Sequence, residues 1–389
     1  MSKLEKLLLN KYVVLSLWFG LSLIAVIKQA SHNHINNYFI YKYTFVNLIH
    51  QHNLYSLQPE YYFDLNHYGP LFGLVIAPFT LLPDFWGCVL WVVFNCFALY
   101  WAIWQLPMTV NQRLAILLIS AHELMTAAFG VQFNPSVAAI IILSLVFVHR
   151  KQDMWATLLI VAGTLIKLYG IVGLAFFFFS KNKIKFIWTF LMWSAVLFVL
   201  PMAFSSPHFV IQSYHDWLVC LSQKNADNTT SHMQDISVMG MIRRIFHYPQ
   251  LSNLAVLIPG VLLFASAYIR ISQFKYLPYR LTLLASVLIF AVIFSTGSES
   301  PTYIIAFAGV AIWFMNLDRP VTGFVIFLLV FALLVTSLSP SDLFPKYINK
   351  TYIKPYALKA FPCFLIWLKI TYELLTKNFG DKAVKAVAS

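Results

Sequence analysis

Residues 149–185 read HRKQDMWATLLIVAGTLIKLYGIVGLAFFFFSKNKIK. Both ends are basic, and what lies between is apolar apart from one lysine, Lys167. Lys and Arg of multi-pass chains collect on the cytoplasmic side of the bilayer. Both ends of this stretch therefore belong on the same side. Residues 154–179 are long enough for one full span and too short for two. They must instead cross as two half-length helices that meet near Lys167–Gly170. Such a break at membrane depth is tolerated where protein covers it. The turn then faces outside, and the sidedness of every other loop follows.

Composition supports a membrane reading. Of 389 residues, 60% are hydrophobic and only 11% are charged. A soluble domain carries about 25% charged residues, so this chain is too poor in charge to cover a water-facing surface of its size. The 17% aromatic content suits spans bordered by interfacial Trp and Tyr. The formal net charge of +13 raises the possibility of nucleic acid, but the bases lie in short clusters between apolar runs. That pattern points to membrane orientation and away from nucleic-acid binding. The four cysteines form no CxxC pair and suggest neither a disulfide framework nor a zinc site.

Outward from residues 149–185, apolar runs alternate with loops from Tyr12 to about Leu375. Leu71–Pro83 is set aside as a juxtamembrane or re-entrant helix. The loops assigned to the cytoplasm hold 16 Lys and Arg and the outer ones 7. The expectation is an all-α integral membrane protein of about twelve spans in a single domain over residues 1–389. Both termini are cytoplasmic, and the outer loops span 30–84 and 205–250. The first loop is expected to be helical, with residues 33–48 lying along the interface.

Ionisable residues at membrane depth are costly, so each is a candidate for function. Lys167 suits a phosphate, or it is a lysine snorkelling from a span end. Glu123 and His122 sit inside a run, where a buried carboxylate is neutral, paired or part of a site. Gln132 and Asn134, in GVQFNPS (130–136), bind ligand hydroxyls or satisfy their own turn. Glu299 contacts substrate or favours a helix dipole. The first outer loop gathers Glu60, Asp64 and His67, a carboxylate beside a histidine being suited to deprotonating a hydroxyl. A metal site from His32, His34, Asp64 and His67 matches no strong ligand spacing. Arg243 and Arg244 run against the positive-inside trend and suit bidentate phosphate contact or lipid headgroups.

Several ordered segments carry a resemblance. NLYSLQPEYYFDLNHYGPLFGLVIAPFTLLP (53–83), GVQFNPSVAAIIIL (130–143), AGTLIKLYGIVGL (162–174), DISVMGMIRRIF (235–246) and SESPTYIIAFAGVAIW (298–313) resemble the motif blocks of glycosyltransferase family 87. That family of polyprenol-phosphate-dependent enzymes lies within the GT-C superfamily. The order matches along roughly residues 10–320. The resemblance implies a GT-C-like helical bundle in a bacterial inner membrane with its active site on the outer face. It implies a polyprenyl-phosphate-sugar donor carrying a mannose- or arabinose-like sugar, a lipid or glycan acceptor in the cell envelope, and inversion at the anomeric carbon. No cofactor and no metal are expected. On this pattern Lys167 and Arg243 or Arg244 hold the donor phosphate, and a first-loop carboxylate is the base.

One departure stands out. The family's usual Asp, just after the first span, falls at Asn37 in NYFIY (37–41), with Tyr41 matching the motif tyrosine. An amide cannot act as a general base. Asp64 with His67 as helper is the replacement expected here, and Glu60 the next candidate. Gly69 also stands where the family has proline, as does Gly170. A lipid carrier or flippase and an inactive scaffold are the competing readings.

Overall fold

A computed structural model describes residues 7–229 and 234–380. The outermost residues of both tails, expected on the cytoplasmic side, lie outside this range. The described residues are helical and connecting segments, with no strand among them. They form two compact units, one through Lys224 and the other from Asn225.

In the first unit α1 (Lys11–Ser31) packs against α4 (Asp84–Trp104) and α5 (Val110–Phe129). Asn10 caps α1, its Oδ1 accepting from Tyr12 N at 2.9 Å. Thr109 and Gln112 cap α5 reciprocally, each side chain accepting from the other's backbone. The segment between α1 and α4 contributes α2 (Asn36–His50) and α3 (Leu71–Thr80), which pack on each other. Within this unit, α6 (Asn134–His149) is deeply enclosed, 13 of its 16 residues being buried. It lies against α4 and α7 (Asp153–Lys167), and α7 in turn packs on α8 (Lys183–Val199). Helix α9 (Pro207–Asn228) follows.

Helix α7 ends at Lys167, and Tyr169–Phe179 continues as a 3-10 arm that folds back along it. Two glycines let the arms touch. A Cβ on Gly170 would lie 2.3 Å from the backbone carbon of Gly163, and one on Gly173 would lie 2.7 Å from Ile160 Cγ1. The half-length pair expected between the two basic ends is thus a helical hairpin with Lys167 at its apex.

In the second unit α10 (Val238–Ile245) and α11 (Asn253–Ser266) precede α12 (Leu277–Ile293) and α13 (Tyr303–Asn316). The last two are almost wholly buried. They approach closely because Gly309 has no side chain, a Cβ there falling 2.8 Å from the Ala285 carbonyl. Helix α14 (Gly323–Phe331) follows, then α15 (Ala360–Thr376). The latter locks on through Trp367 Nε1, which donates to Ser286 Oγ at 3.0 Å, and Glu373 Oε2, which accepts from Trp313 Nε1 at 3.0 Å.

Among the described residues, three helices are long and apolar enough to cross a bilayer by themselves: Lys11–Ser31, Asp84–Trp104 and Lys183–Ala203. The shorter apolar helices run 10–17 residues. Helices that short reach membrane depth only where neighbouring protein satisfies and covers their ends, and α6 and α12 are sheathed in this way.

Candidate functional site

The site of the first unit is built where the loop over residues 51–70 docks on the hairpin apex. Gly69 N–H donates to the Ile166 carbonyl at 3.0 Å. A Cβ on Gly69 would sit 2.0 Å from the Leu165 carbonyl oxygen and 3.0 Å from the Trp217 ring. Only glycine permits this approach, and it carries the preceding residue, Tyr68, onto the lysine. Lys167 Nζ donates to Asn134 Oδ1 at 2.7 Å and to Tyr68 Oη at 3.3 Å. The ammonium also lies 5.1 Å from the Tyr68 ring centroid and 5.7 Å from that of Tyr169. Asn134 and Tyr68 are both neutral, so they orient the charge without cancelling it.

Tyr41, buried, meets Tyr68 hydroxyl to hydroxyl at 3.3 Å and packs edge-on against Phe72 and Trp91. Tyr68 thus contacts both Tyr41 and the lysine. Asn37 Nδ2 donates to the Gly130 carbonyl at 2.7 Å. A carboxylate has no proton to give that carbonyl, so the amide suits position 37 and pins α2 to the turn before α6. Gln132, half-buried in that turn, donates its backbone N–H to Ala127 O at 3.0 Å.

Asp64 is exposed, with Oδ1 accepting from Leu65 N at 2.8 Å. Glu60 is exposed on the same loop. His67 is held from behind: Trp217 Nε1 donates to its carbonyl at 2.9 Å, and Cys220 Sγ contacts its Nδ1 at 3.4 Å. Its Nε2 is buried and finds no hydrogen-bond partner among the described residues. Burial, with help from Lys224 and Lys167 and against the pull of Asp64, pushes the His67 pKa down to about 4. The imidazole is therefore neutral at pH 7. Glu123 lies fully buried inside α5.

In the second unit Arg243 is turned inward. Its Nη1 pairs with Asp235 Oδ2 at 2.6 Å, both side chains being almost completely buried. Nε and Nη2 reach the Leu251 carbonyl at 3.1 and 2.8 Å, and Nη2 also meets Asn253 Oδ1. Ser237 Oγ bonds Asp235 Oδ1 at 2.6 Å while capping α10 through Gly240 N. Asp235 N and Ile236 N donate to the carbonyls of Thr296 and Ser298 at 3.0 and 2.9 Å, which ties this loop to the segment bearing Glu299. Arg244 is half-buried, and its Nη2 donates to the Gln234 carbonyl at 2.5 Å. Glu299 is half-buried and precedes a 3-10 turn, its N–H donating to Thr302 Oγ1 at 3.2 Å.

Removing one partner of a buried ion pair leaves the other charge uncompensated. Arg243→Leu is therefore expected to lower stability by about 3–5 kcal/mol. Adding Asp235→Asn should restore part of that loss, readable as a double-mutant cycle of melting temperatures. Additive losses would mean that the two groups do not interact.

Sequence reasoning missed Tyr68, Asp235 and Lys359. Tyr68 was hidden among many tyrosines, and Asp235 lies eight residues before its arginine. Lys359, almost fully buried, donates to Ser300 Oγ at 2.9 Å and sits 5.0 Å from the Tyr303 ring. A lysine inside an apolar run was the available signal, and Lys369 in the same run blurred it. Among the described residues no three His, Cys, Asp or Glu side chains gather as a metal site.

A family model for glycosyltransferase family 87 matches residues 66–296, more than half of the chain. The match contains Tyr68, Asn134, Lys167 and both arginines, and begins just after Asp64. No curated protein matches the chain.

Proposed function

Because the chain belongs to glycosyltransferase family 87, we propose that this membrane glycosyltransferase moves a sugar from a polyprenyl phosphate to a cell-envelope acceptor. The donor sugar is mannose- or arabinose-like, and the acceptor a glycolipid or glycan. Transfer takes place at the outer face of a bacterial inner membrane. The observation that carries this reading is the apex lysine, oriented by Asn134 and Tyr68 at a break in the hairpin and joined there to the first outer loop.

In the proposed reaction Lys167 holds the donor phosphate. The acceptor oxygen attacks the anomeric carbon while Asp64 takes its proton. The bond from the anomeric carbon to the phosphate oxygen breaks, and polyprenyl phosphate leaves with the electron pair and gains its charge beside the ammonium. Attack opposite the leaving group inverts the centre. His67, held from behind by Trp217 and Cys220, serves as a neutral helper that fixes the loop. Asn37, Gln132 and Glu60 are assigned contacts to sugar or acceptor hydroxyls, and Tyr41 supports Tyr68. In the second unit Arg244 and Glu299 are assigned substrate contacts, and Arg243, saturated by protein partners, positions Arg244.

The test is sugar transfer in nanodiscs from a panel of radiolabelled polyprenyl-phosphate sugars to mixed envelope lipids. Loss of a general base costs about 10²–10⁴-fold, and Asp64→Asn is expected in that range with donor binding retained. Full turnover in Asp64→Asn would move the base, with Glu60 next. The inactive-scaffold reading has one observation in its favour, the amide at Asn37. It predicts donor binding without transfer in the wild type.

A further inference from the structure

Resting on the reading just proposed, we infer that the first unit carries a separate subsite for one sugar ring of the acceptor, in the cleft between the first outer loop and α9. The cleft has a volume of about 190 Å³, and Asn53, Tyr55, Leu65, Asp216, Cys220 and Gln223 are among the residues that line it. It adjoins the proposed base, since Leu65 follows Asp64 in the chain and Cys220 contacts His67 at 3.4 Å.

Its size and chemistry favour a sugar ring over the lipid. Pockets for drug-sized ligands run about 300–1,000 Å³, so this cleft admits one small ring and no length of polyprenyl chain. A carboxylate in the wall disfavours a phosphate. Asp216, only partly exposed, is held in place by Gln212 Nε2 at 2.8 Å and, weakly, by Asn53 Nδ2 at 3.4 Å. An ionised carboxylate offers about four acceptor positions, so hydroxyl donors can still be received. Asn53 is itself braced, its Oδ1 accepting from Tyr55 N at 2.7 Å and its carbonyl from Ser56 Oγ at 3.2 Å. Gln223 adds an amide from α9. The floor is apolar and firm: Tyr55 is buried among Leu48, Leu54, Tyr214 and Trp217, with its hydroxyl on the Tyr68 carbonyl at 3.1 Å. Fixed carboxylate and amide groups over an apolar floor match vicinal hydroxyls above the C–H face of a sugar.

The same Tyr55 bond links the two places. The Tyr68 carbonyl receives the floor residue of the cleft, and the Tyr68 hydroxyl receives Lys167. A ring in the cleft is thereby kept in register with a phosphate at the apex, next to Asp64.

Two measurements on the full chain in nanodiscs test this. Saturation-transfer NMR with methyl hexosides and pentosides, without donor, should detect binding to the wild type. Asp216→Ala should abolish it and Gln223→Ala weaken it. In the transfer assay Asp216→Ala should raise the acceptor KM at least about tenfold, with donor KM and kcat at saturating acceptor unchanged. Asp216→Asn, which keeps size and one acceptor oxygen, should lie between, and equal melting temperatures exclude misfolding. Active transfer with an unmoved acceptor KM in Asp216→Ala overturns the subsite and leaves the transferase reading intact. If no donor is consumed, glycoside binding lost in Asp216→Ala still supports the subsite while the transferase reading fails. Glycoside signals equal in wild type and Asp216→Ala overturn it in either case.

Discussion

Lys167→Met is expected to lower kcat for sugar transfer by about 10²–10³-fold, the range found when one preorganised group facing developing charge is removed. Methionine keeps an unbranched stem and removes the charge. The ammonium is placed by a hydrogen bond to Asn134 and another to Tyr68, with the Tyr68 and Tyr169 rings near it. These partners exist before substrate arrives, so little reorganisation is needed when the leaving phosphate gains charge. Lys167→Arg should not restore activity, because a planar fork cannot occupy the place of a point charge between an amide and a phenol. Asn134→Ala should produce a smaller loss, since the charge remains and only its aim is relaxed. The readouts are single-turnover transfer rates and retention of radiolabelled polyprenyl phosphate. Unchanged turnover in Lys167→Met, with protein of normal melting temperature, would remove the lysine from the reaction.

Why this lysine could be found without coordinates is a matter of charge and length. Two basic ends that must share a side, with too few residues between them for two full spans, force a turn at membrane depth. The lysine at that turn is conspicuous because every neighbour is apolar. Helix length was less legible. Charge alternation counts crossings, but it does not distinguish a full span from a short helix sheathed by neighbours. Among the described residues, three helices are long and apolar enough to cross alone. The buried partners were also out of reach. Asp235 reads as a loop carboxylate until it is seen closing on Arg243. Nor does any pattern in the sequence announce that Tyr68 lies on Lys167, because that contact depends on the absence of a side chain at the next residue, Gly69. Asn37 was visible as a departure from the family, but its reason required the Gly130 carbonyl.

Gly170→Ala should be among the most damaging single substitutions in the chain, costing more than about 4 kcal/mol. An alanine Cβ at this position would fall 2.3 Å from the Gly163 carbonyl carbon and 2.4 Å from Thr164 N. Both are backbone atoms, so no rotamer change relieves the overlap and the hairpin must open. Proline, common in the family at this place, carries the same Cβ, so Gly170→Pro should fail equally. The departure from the family is therefore a packing requirement of these two arms. Gly163→Ala meets Ile140 Cγ2 at 2.9 Å and the Gly170 Cα at 3.0 Å. One of those is a side chain that can shift, and the loss should be smaller. Gly20→Ala is the internal control: nothing lies within 4 Å of its Cβ, and a mid-helix glycine replaced by alanine gains about 0.5–1 kcal/mol. Melting temperatures and the monodisperse fraction of detergent-purified protein rank the four variants. The expected order is Gly20→Ala at or above wild type, then Gly163→Ala, with Gly170→Ala and Gly170→Pro lowest. A Gly170→Ala protein that melts with wild type would mean that the two arms do not touch at this point. Lys167 would then sit on a loose loop with no fixed aim, and the large kcat loss expected of Lys167→Met would lose its physical basis.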